Sequence, residues 1–443
     1  MAYTFLIIIL VILVSDYLLE RFLSYLNLKQ MSEELPAELD GIYDPERYRK
    51  SQRYLRTKQR FSLITSTVNF AIALTLLLAG GFGWLDNVLR AYTQNPILLS
   101  LLFFGIIGFG ASLLSIPFEA YAVFVIEEKF GFNTTTVKTF ILDKLKGWLL
   151  GLVIGGGLLA LVTWIYLGSG RWFWLVAWGV FTLFTVFMTM FYSNLIVPLF
   201  NKQKPLEEGS LRQAIEHFAA KVGFRLKNIF VIDGSKRSKK ANAYFTGLGM
   251  KKRIVLYDTL IHDHTEEELV AVLAHEVGHY KKKHTTIGIV LSILQNGLML
   301  FILSWFIRPG DAVSSALCQS LAGFTDTVTA QGFHLGILAF GLLYSPLSTI
   351  IGLFENKLSR KHEYAADHYA GVNYQPAALQ EALKKLSVNN LTNLRPHPAY
   401  VFFYYSHPTL LQRLSALSEI LPLHHPVDDG KEDGGVDERD HNS

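Results

Sequence analysis

The sequence predicts a mainly α-helical, polytopic membrane protein with about seven transmembrane helices, whose polar residues are compatible with a bundle enclosing water. Half of its 443 residues are hydrophobic, 13% are aromatic and only 18% are charged. That composition is too apolar for an ordinary soluble protein of this length. Apolar stretches of about 20 residues, the length that crosses a bilayer, recur along the chain. The single cysteine, Cys318, excludes an intrachain disulfide and a cysteine-based zinc site.

Seven segments have the length and apolarity of a membrane span: residues 3–22, 61–84, 97–125, 148–167, 172–195, 287–307 and 333–354. The first is interpreted as a span rather than a cleaved signal peptide, because no basic residue precedes it and no small-residue cleavage site follows it. The spans also carry polar side chains, which either bond to other helices or face water inside the bundle. These are Asn69, Glu119, Gln295, Asn296 and Ser345.

The loops between these spans alternate in basic character. Three short connections contain one arginine each, Arg90, Arg171 and Arg308, whereas the remaining connections are rich in lysine and arginine. Basic loops stay on the cytoplasmic side of a membrane. The pattern therefore predicts an external N-terminus and a cytoplasmic C-terminus. It also predicts that the long polar insertion between spans five and six is cytoplasmic.

This insertion, residues 198–284, has the pattern of a small α/β domain. An amphipathic helix is predicted over residues 211–222, and a short β-rich run covers residues 228–233. Residues 241–247 and 252–257 predict a β-hairpin around Gly249. Such a hairpin is either a plain structural element or a sheet edge to which an extended peptide adds as a further strand.

The insertion ends in the motif His-Glu-x-x-His, formed by His275, Glu276 and His279. Thr265 and Glu268 form a capping-box pattern ahead of it, so the motif lies inside a helix. Positions i and i+4 share one helix face, and the two imidazoles can converge on one cation. Imidazole nitrogen suits Zn²⁺, and the adjacent glutamate is placed to act on a zinc-bound water.

A catalytic zinc site needs a third protein ligand, and we select Glu363. Asp367 lies one helical turn later, where its carboxylate can accept the free N–H of a ligand imidazole. Glu355 and His284 are rival ligands on sequence grounds. The alternative for Glu363 is a solvated charge on a helix surface.

Over nearly the whole chain, roughly residues 16–421, the sequence resembles the type I CAAX prenyl endopeptidase family. These are polytopic membrane zinc metalloproteases of the a-factor-converting and prelamin A-processing type. The resemblance is carried by several stretches together, namely residues 127–133, 198–201, 242–245, 253–260, 275–279, 359–367 and 406–408.

The resemblance implies a large intramembrane chamber with a gluzincin-like zinc site at its cytoplasmic end. It makes His275, His279 and Glu363 the ligands of one Zn²⁺. It makes Asp367 an outer carboxylate or a proton donor, and His407 the residue that stabilises the oxyanion. Asn242 would contact the substrate. Glu276 would act as the general base of peptide hydrolysis.

The predicted organisation divides the chain into five regions. They are transmembrane helices one to five in 1–200, a cytoplasmic metalloprotease domain in 201–285, helices six and seven in 286–356, cytoplasmic helices that complete the zinc site in 357–426, and a disordered acidic tail in 427–443. Short external loops and the acidic tail favour a prokaryotic homologue in a bacterial inner membrane; a eukaryotic protein would lie in the endoplasmic reticulum membrane.

The expected partners are the lipid bilayer and a peptide or protein substrate, with a C-terminal prenyl group in the main hypothesis. No nucleic acid is expected, and a monomer would suffice. Two alternatives stay open at this point. One is a broad membrane quality-control protease without prenyl specificity, and the other is a transporter or channel with structural zinc, against which the placement of Glu276 argues.

Overall fold

The structure, a computed structural model, describes residues 1–224, 229–246, 253–325 and 329–420. The predicted acidic tail, residue 228 and the loop around Gly249 lie outside the described residues. The helices of the N-terminal half are α1 (Ala2–Gln30), α2 (Pro45–Leu78), α3 (Gly81–Arg90), α4 (Pro96–Tyr121), α5 (Val137–Leu150), α6 (Gly157–Ser169), α7 (Phe173–Leu195) and α8 (Val197–Phe200). Those of the C-terminal half are α9 (Ser210–Lys221), α10 (Asp258–Asp263), α11 (Glu266–Lys281), α12 (His284–Phe306), α13 (Ala312–Ser320), α14 (Phe333–Asn373), α15 (Pro376–Asn389), α16 (Pro398–Tyr404) and α17 (Leu410–Ser418).

Within the described residues, six helical stretches are long and apolar enough to cross a membrane, and the predicted mainly α membrane fold is confirmed. They are Ala2–Gln30, Pro45–Leu78, Pro96–Glu127, Val137–Phe200, His284–Phe306 and Phe333–Asn373. The fourth contains a turn at Gly170–Trp172, where Gly170 adopts a φ of 51°. Two predicted spans, 148–167 and 172–195, lie on either side of this turn. The count of seven crossings and the water-filled chamber stay predictions.

The helix of the second predicted span ends earlier than the sequence pattern suggests. We placed its end at residue 84, but α2 stops at Leu78 and Gly80 turns the chain with a φ of 64°. Gly80 can turn the chain here because it has no side chain. A Cβ at this position would lie 2.1 Å from the carbonyl oxygen of Ala322. Residues 81–90 then form the separate helix α3, which packs against α2 and α4.

Two of the polar side chains in the spans are used in bonds between helices. Glu119 of α4 pairs with Lys144 of α5, and Ser345 of α14 donates to Asp16 of α1. Polar groups in an apolar environment need such partners. For these two residues the structure therefore shows interhelical bonding, one of the two roles that the sequence left open.

Basic residues from three loop regions meet on one face of the molecule. Arg53 from α2, Lys129 from the turn after the third predicted span and Lys239 from the insertion line one open cleft. The alternation of basic loops requires these regions to share a side of the membrane. Their convergence is the arrangement that this alternation requires, while the direction in which the termini face stays a prediction.

In addition to α9 and α11, the described residues of the second half of the chain form a four-stranded sheet. Its strands are β1 (Gln203–Pro205), β2 (Ile229–Ile232), β3 (Ala243–Thr246) and β4 (Arg253–Tyr257), arranged in the order β1-β2-β4-β3. The predicted hairpin is present as the antiparallel pair of β3 and β4. The parallel pairing of β2 with β4 was not predicted. Among the described strands, β3 lies at an edge of the sheet.

Helix α11 lies at the centre of the largest described hydrophobic core. Its N-terminus has the predicted capping box, in which Thr265 accepts from the backbone of Glu268 and Glu268 accepts from the backbone of Thr265. The helix packs against α14, α15 and α9. Residues 269–274 of α11 are all buried, and all of them except Val272 belong to this core. The position of α11 is therefore fixed on several sides.

A glycine permits the close approach of α11 to α14. A Cβ on Gly278 would lie 3.1 Å from both the Cα and the carbonyl oxygen of Ala366. These are backbone atoms of a buried helix, so they cannot move aside as the end of a flexible side chain can. Gly278 therefore sets the distance between the two helices that carry the candidate metal ligands.

We expect Gly278→Val to destabilise the folded protein by about 1–3 kcal/mol, the usual cost of overpacking a core. Thermal unfolding in detergent would measure this loss. Gly288→Val is the matched control, because an added Cβ at Gly288 in α12 meets nothing within 4 Å. Equal stability of the two variants would contradict this account of the α11–α14 contact.

Candidate metal centre

Three side chains from two helices converge at one point. His275 and His279 lie one turn apart on α11, and their Nε2 atoms are 3.0 Å apart. Glu363 reaches them from α14, with its Oε1 3.2 Å from His279 Nε2 and its Oε2 3.6 Å from His275 Nε2. These three residues have ligand atoms close enough to one another to hold a single metal ion.

The spacing of these atoms fits a tetrahedral zinc ion. With metal–ligand distances of about 2.0–2.1 Å, tetrahedral ligand atoms lie about 3.3 Å apart. The two histidine nitrogens are 3.0 Å apart, and each lies 3.2 or 3.6 Å from a different oxygen of Glu363, which is close to that value. Glu363 Oε2 is buried, and among the described residues no group donates a hydrogen bond to it; a bound cation would satisfy this oxygen. The donor set of two imidazoles and one carboxylate therefore fits zinc and leaves a fourth position for water.

The two rival ligands lie away from this point. His284 approaches the opposite ring nitrogen of His279, with the two Nδ1 atoms 3.0 Å apart. Glu355 precedes Glu363 on α14 by two helical turns, or about 12 Å of helix rise. Within the described residues, the geometry therefore brings together the three residues that we selected and does not add either rival to the cluster; the ligand assignment stays a prediction.

A buried carboxylate contacts the other ring nitrogen of the first histidine. Asp367 is 1% exposed, and its Oδ1 lies 2.8 Å from His275 Nδ1. An imidazole that donates its Nδ1–H to this carboxylate presents Nε2 to a metal. Asp367 is not among the described residues that line the cavity at the site. Its position suits orientation of His275 rather than proton exchange with a substrate.

Arg413 completes the site, and the sequence reasoning missed it. Its Nε and Nη2 atoms donate to the two oxygens of Asp367 at 2.8 and 2.6 Å, and its Nη1 lies 3.5 Å from Glu363 Oε2. One guanidinium therefore holds both carboxylates of α14 in place. The only signal in the sequence is that Arg413 lies in helix α17, just after His407.

The metal site opens into a cavity of about 480 Å³. Glu276 lines this cavity beside the two histidines, and His407 lines it with its Nε2 3.4 Å from Glu363 Oε1. The side chain of His407 is 61% exposed, so it is accessible from the cavity. Asn242 and the first residues of edge strand β3 also line it. The cavity therefore brings together the three clustered side chains, the carboxylate of Glu276 and the sheet edge at β3.

The surroundings of Glu276 increase the proton affinity of its carboxylate. Surrounding protein atoms raise the pKa of its carboxyl above the usual range, because burial disfavours the charged form. Neighbouring imidazoles oppose this effect. A carboxylate with a raised pKa accepts a proton more readily than an ordinary one. Together, the metal-ligand cluster and this carboxylate have the parts of a hydrolase.

The fold and the site define an integral-membrane metallopeptidase. Residues 24–202 match the family model of the CAAX prenyl protease N-terminal region with five membrane helices, and residues 205–421 match the model of peptidase family M48. The chain belongs to this family of membrane metallopeptidases, as the sequence resemblance implied. The comparisons thus favour an enzyme over a transporter with structural zinc.

Relatives of this chain are similar along almost its whole length. It is 36% identical to the probable CAAX prenyl protease 1 of Schizosaccharomyces pombe, with 90% of this chain and 85% of the relative covered. It is 36% identical to CAAX prenyl protease 1 of Saccharomyces cerevisiae, with 92% and 94% covered. The crystal structure of S. mikatae Ste24p superposes with a TM-score of 0.86 at 35% identity, covering 93% of this chain and 99% of that one.

Proposed function

We propose that this metallopeptidase is a zinc-dependent CAAX endopeptidase that cleaves peptides with a C-terminal prenyl group. One observation carries the chemistry: the cluster of His275, His279 and Glu363 opens into the same cavity as Glu276 and edge strand β3. The prenylated substrate is proposed from the relatives, whose names identify them as CAAX prenyl proteases.

In this proposal each side chain has a defined task. His275, His279 and Glu363 hold the zinc ion, which supplies Lewis acidity and lowers the pKa of water to about 7. Glu276 takes a proton from the attacking water and delivers it to the departing amine. His407, exposed to the cavity, donates a hydrogen bond to the oxyanion of the scissile carbonyl.

Two further residues position the reacting groups. Asn242 lines the cavity at the start of β3, where its side chain can contact the backbone of a bound peptide. Asp367 orients His275 through the 2.8 Å contact to Nδ1. We assign Asp367 this positioning role and not that of a proton donor, because Arg413 engages both of its oxygens.

The test compares a CAAX peptide bearing a farnesyl group with the same peptide bearing none. We expect kcat/KM of the purified protein to be at least about tenfold higher for the farnesylated peptide. Each methylene of a lipid chain that is buried contributes about 0.8 kcal/mol, so burial of two is enough for this preference. Equal rates for both peptides would instead favour a broad quality-control protease.

A further inference from the structure

A second cavity, which we call the side pocket, adjoins the catalytic cavity. Its volume is about 570 Å³, and it shares Leu383, His407 and Arg413 with the catalytic cavity. Lys58 and Lys240 line its other wall. None of the described residues that line it is an aspartate or a glutamate. Its size is that of a ligand pocket, and its charge suits an anion.

Lys58 supplies the excess positive charge of the side pocket. Arg413 forms an ion pair with Asp367 beside the metal centre, and Lys240 pairs with Glu127 at 2.8 Å. Lys58 forms no ion pair within the part of the chain that the structure describes. The ammonium groups of Lys58 and Lys240 lie 5.3 and 5.2 Å from the centroid of the Tyr54 ring. Two cations thus meet at one tyrosine, and the nearby carboxylate of Glu127 pairs with Lys240.

The open edge of β3 ends beside the side pocket. The carbonyl of Asn242 accepts from the backbone N–H of Tyr257 on β4 at 3.1 Å. Because successive residues of a strand alternate their hydrogen-bonding side, Ala241 and Ala243 face the open side. Asn390 already pairs with Ala241 there: its Oδ1 accepts from the backbone N–H at 3.1 Å and its Nδ2 donates to the carbonyl at 3.2 Å. The backbone N–H of Ala243 donates to Asn242 Oδ1 at 2.8 Å, so the edge available to a peptide begins at the carbonyl of Ala243.

This geometry gives a direction to the substrate. A peptide that pairs antiparallel with β3 has its C-terminal end towards Ala243, and antiparallel pairing is the commoner kind. Since Asn390 blocks further pairing, the peptide must leave the edge at that point. Ala243 lines the catalytic cavity and Asn390 lines the side pocket. The residues on the C-terminal side of the cleaved bond therefore pass into the side pocket.

We propose that the side pocket binds the free α-carboxylate at the C-terminus of the peptide being cleaved, with Lys58 as its counter-ion. This inference rests on the proposed function as a peptidase. It adds that the enzyme recognises the C-terminus of the substrate peptide. The number of residues between the cleaved bond and that C-terminus then determines which bond is cleaved.

The experiment uses two peptides that are identical except at the C-terminus, which is a free acid in one and an amide in the other. With the wild-type protein, we expect kcat/KM to be about tenfold higher for the acid, a typical fold-change for a hydrogen bond to a charged group. Lys58→Met should cleave the acid as slowly as the amide. Lys58→Arg keeps the charge and should keep the preference. Lys50→Met, which removes an exposed lysine earlier on the same helix, should behave as wild type.

Equal cleavage of acid and amide by the wild-type protein would overturn the carboxylate pocket but not the peptidase function. A preference that persists in Lys58→Met would also overturn it. If neither peptide is cleaved, the proposed function fails, and the affinity of both peptides for the Glu276→Gln protein then tests the pocket alone. Tighter binding of the acid would support the pocket, and equal binding would contradict it.

Discussion

Replacing Glu276 with glutamine should reduce peptide cleavage by about 100- to 10,000-fold, the range that general-base catalysis typically supplies. The amide has nearly the same shape as the carboxylate but cannot take up the proton of the attacking water. Since Glu276 is not one of the three clustered ligands, the variant should still bind one metal ion per chain. Turnover of a fluorogenic peptide and metal analysis of the purified variant would measure both quantities.

Glu267→Gln is the matched control for this experiment, because Glu267 is an exposed residue in the first turn of the same helix. It should retain wild-type activity. Wild-type turnover in the Glu276 variant would refute the assignment of the base. Loss of metal from that variant would show instead that Glu276 supports the metal site.

Glu363→Ala should lose both its metal and its activity. The substitution removes one of three ligands and leaves two histidines 3.0 Å apart with no carboxylate opposite them. We expect the fall in metal affinity to exceed the roughly 10- to 100-fold that loss of an outer carboxylate costs. Metal content after dialysis against a weak chelator would measure it.

Glu355→Ala tests the same helix at the position of the rival ligand. It should keep wild-type metal content, because Glu355 lies two turns from the cluster. If Glu355→Ala lost the metal and Glu363→Ala retained it, the ligand assignment would be wrong. If both variants kept the metal, the third ligand would have to come from elsewhere in the chain.

The local parts of this protein could be predicted from its sequence. Apolar stretches of about 20 residues indicate membrane helices because a bilayer has a fixed thickness. The placement of His275 and His279 on one face follows from the helical repeat alone. The capping box of Thr265 and Glu268 also depends only on neighbouring residues, and it is present as predicted.

Contacts between distant parts of the chain could be predicted only in outline. Chemistry favours Glu363 as the third ligand, but the sequence alone leaves a solvated helix charge as an alternative; the packing of α14 against α11 brings Glu363 to the two histidines. The partners of β2 were missed for the same reason, since a four-residue strand does not specify its neighbours. The end of α2 was misplaced because its turn depends on contact with Ala322, far along the chain.

Arg413 shows what the tertiary structure alone decided. It lies 46 residues from Asp367 and 138 from His275, yet it contacts both. No short-range pattern links an arginine in a C-terminal helix to carboxylates on another helix. The packing of α11 on α14 at Gly278 and of α17 on α14 creates that link. The sequence by itself determined the membrane class and the pair of histidines, because both follow from periodicity along one segment. The third ligand, its guanidinium support and the side pocket depend on where separate segments meet in space.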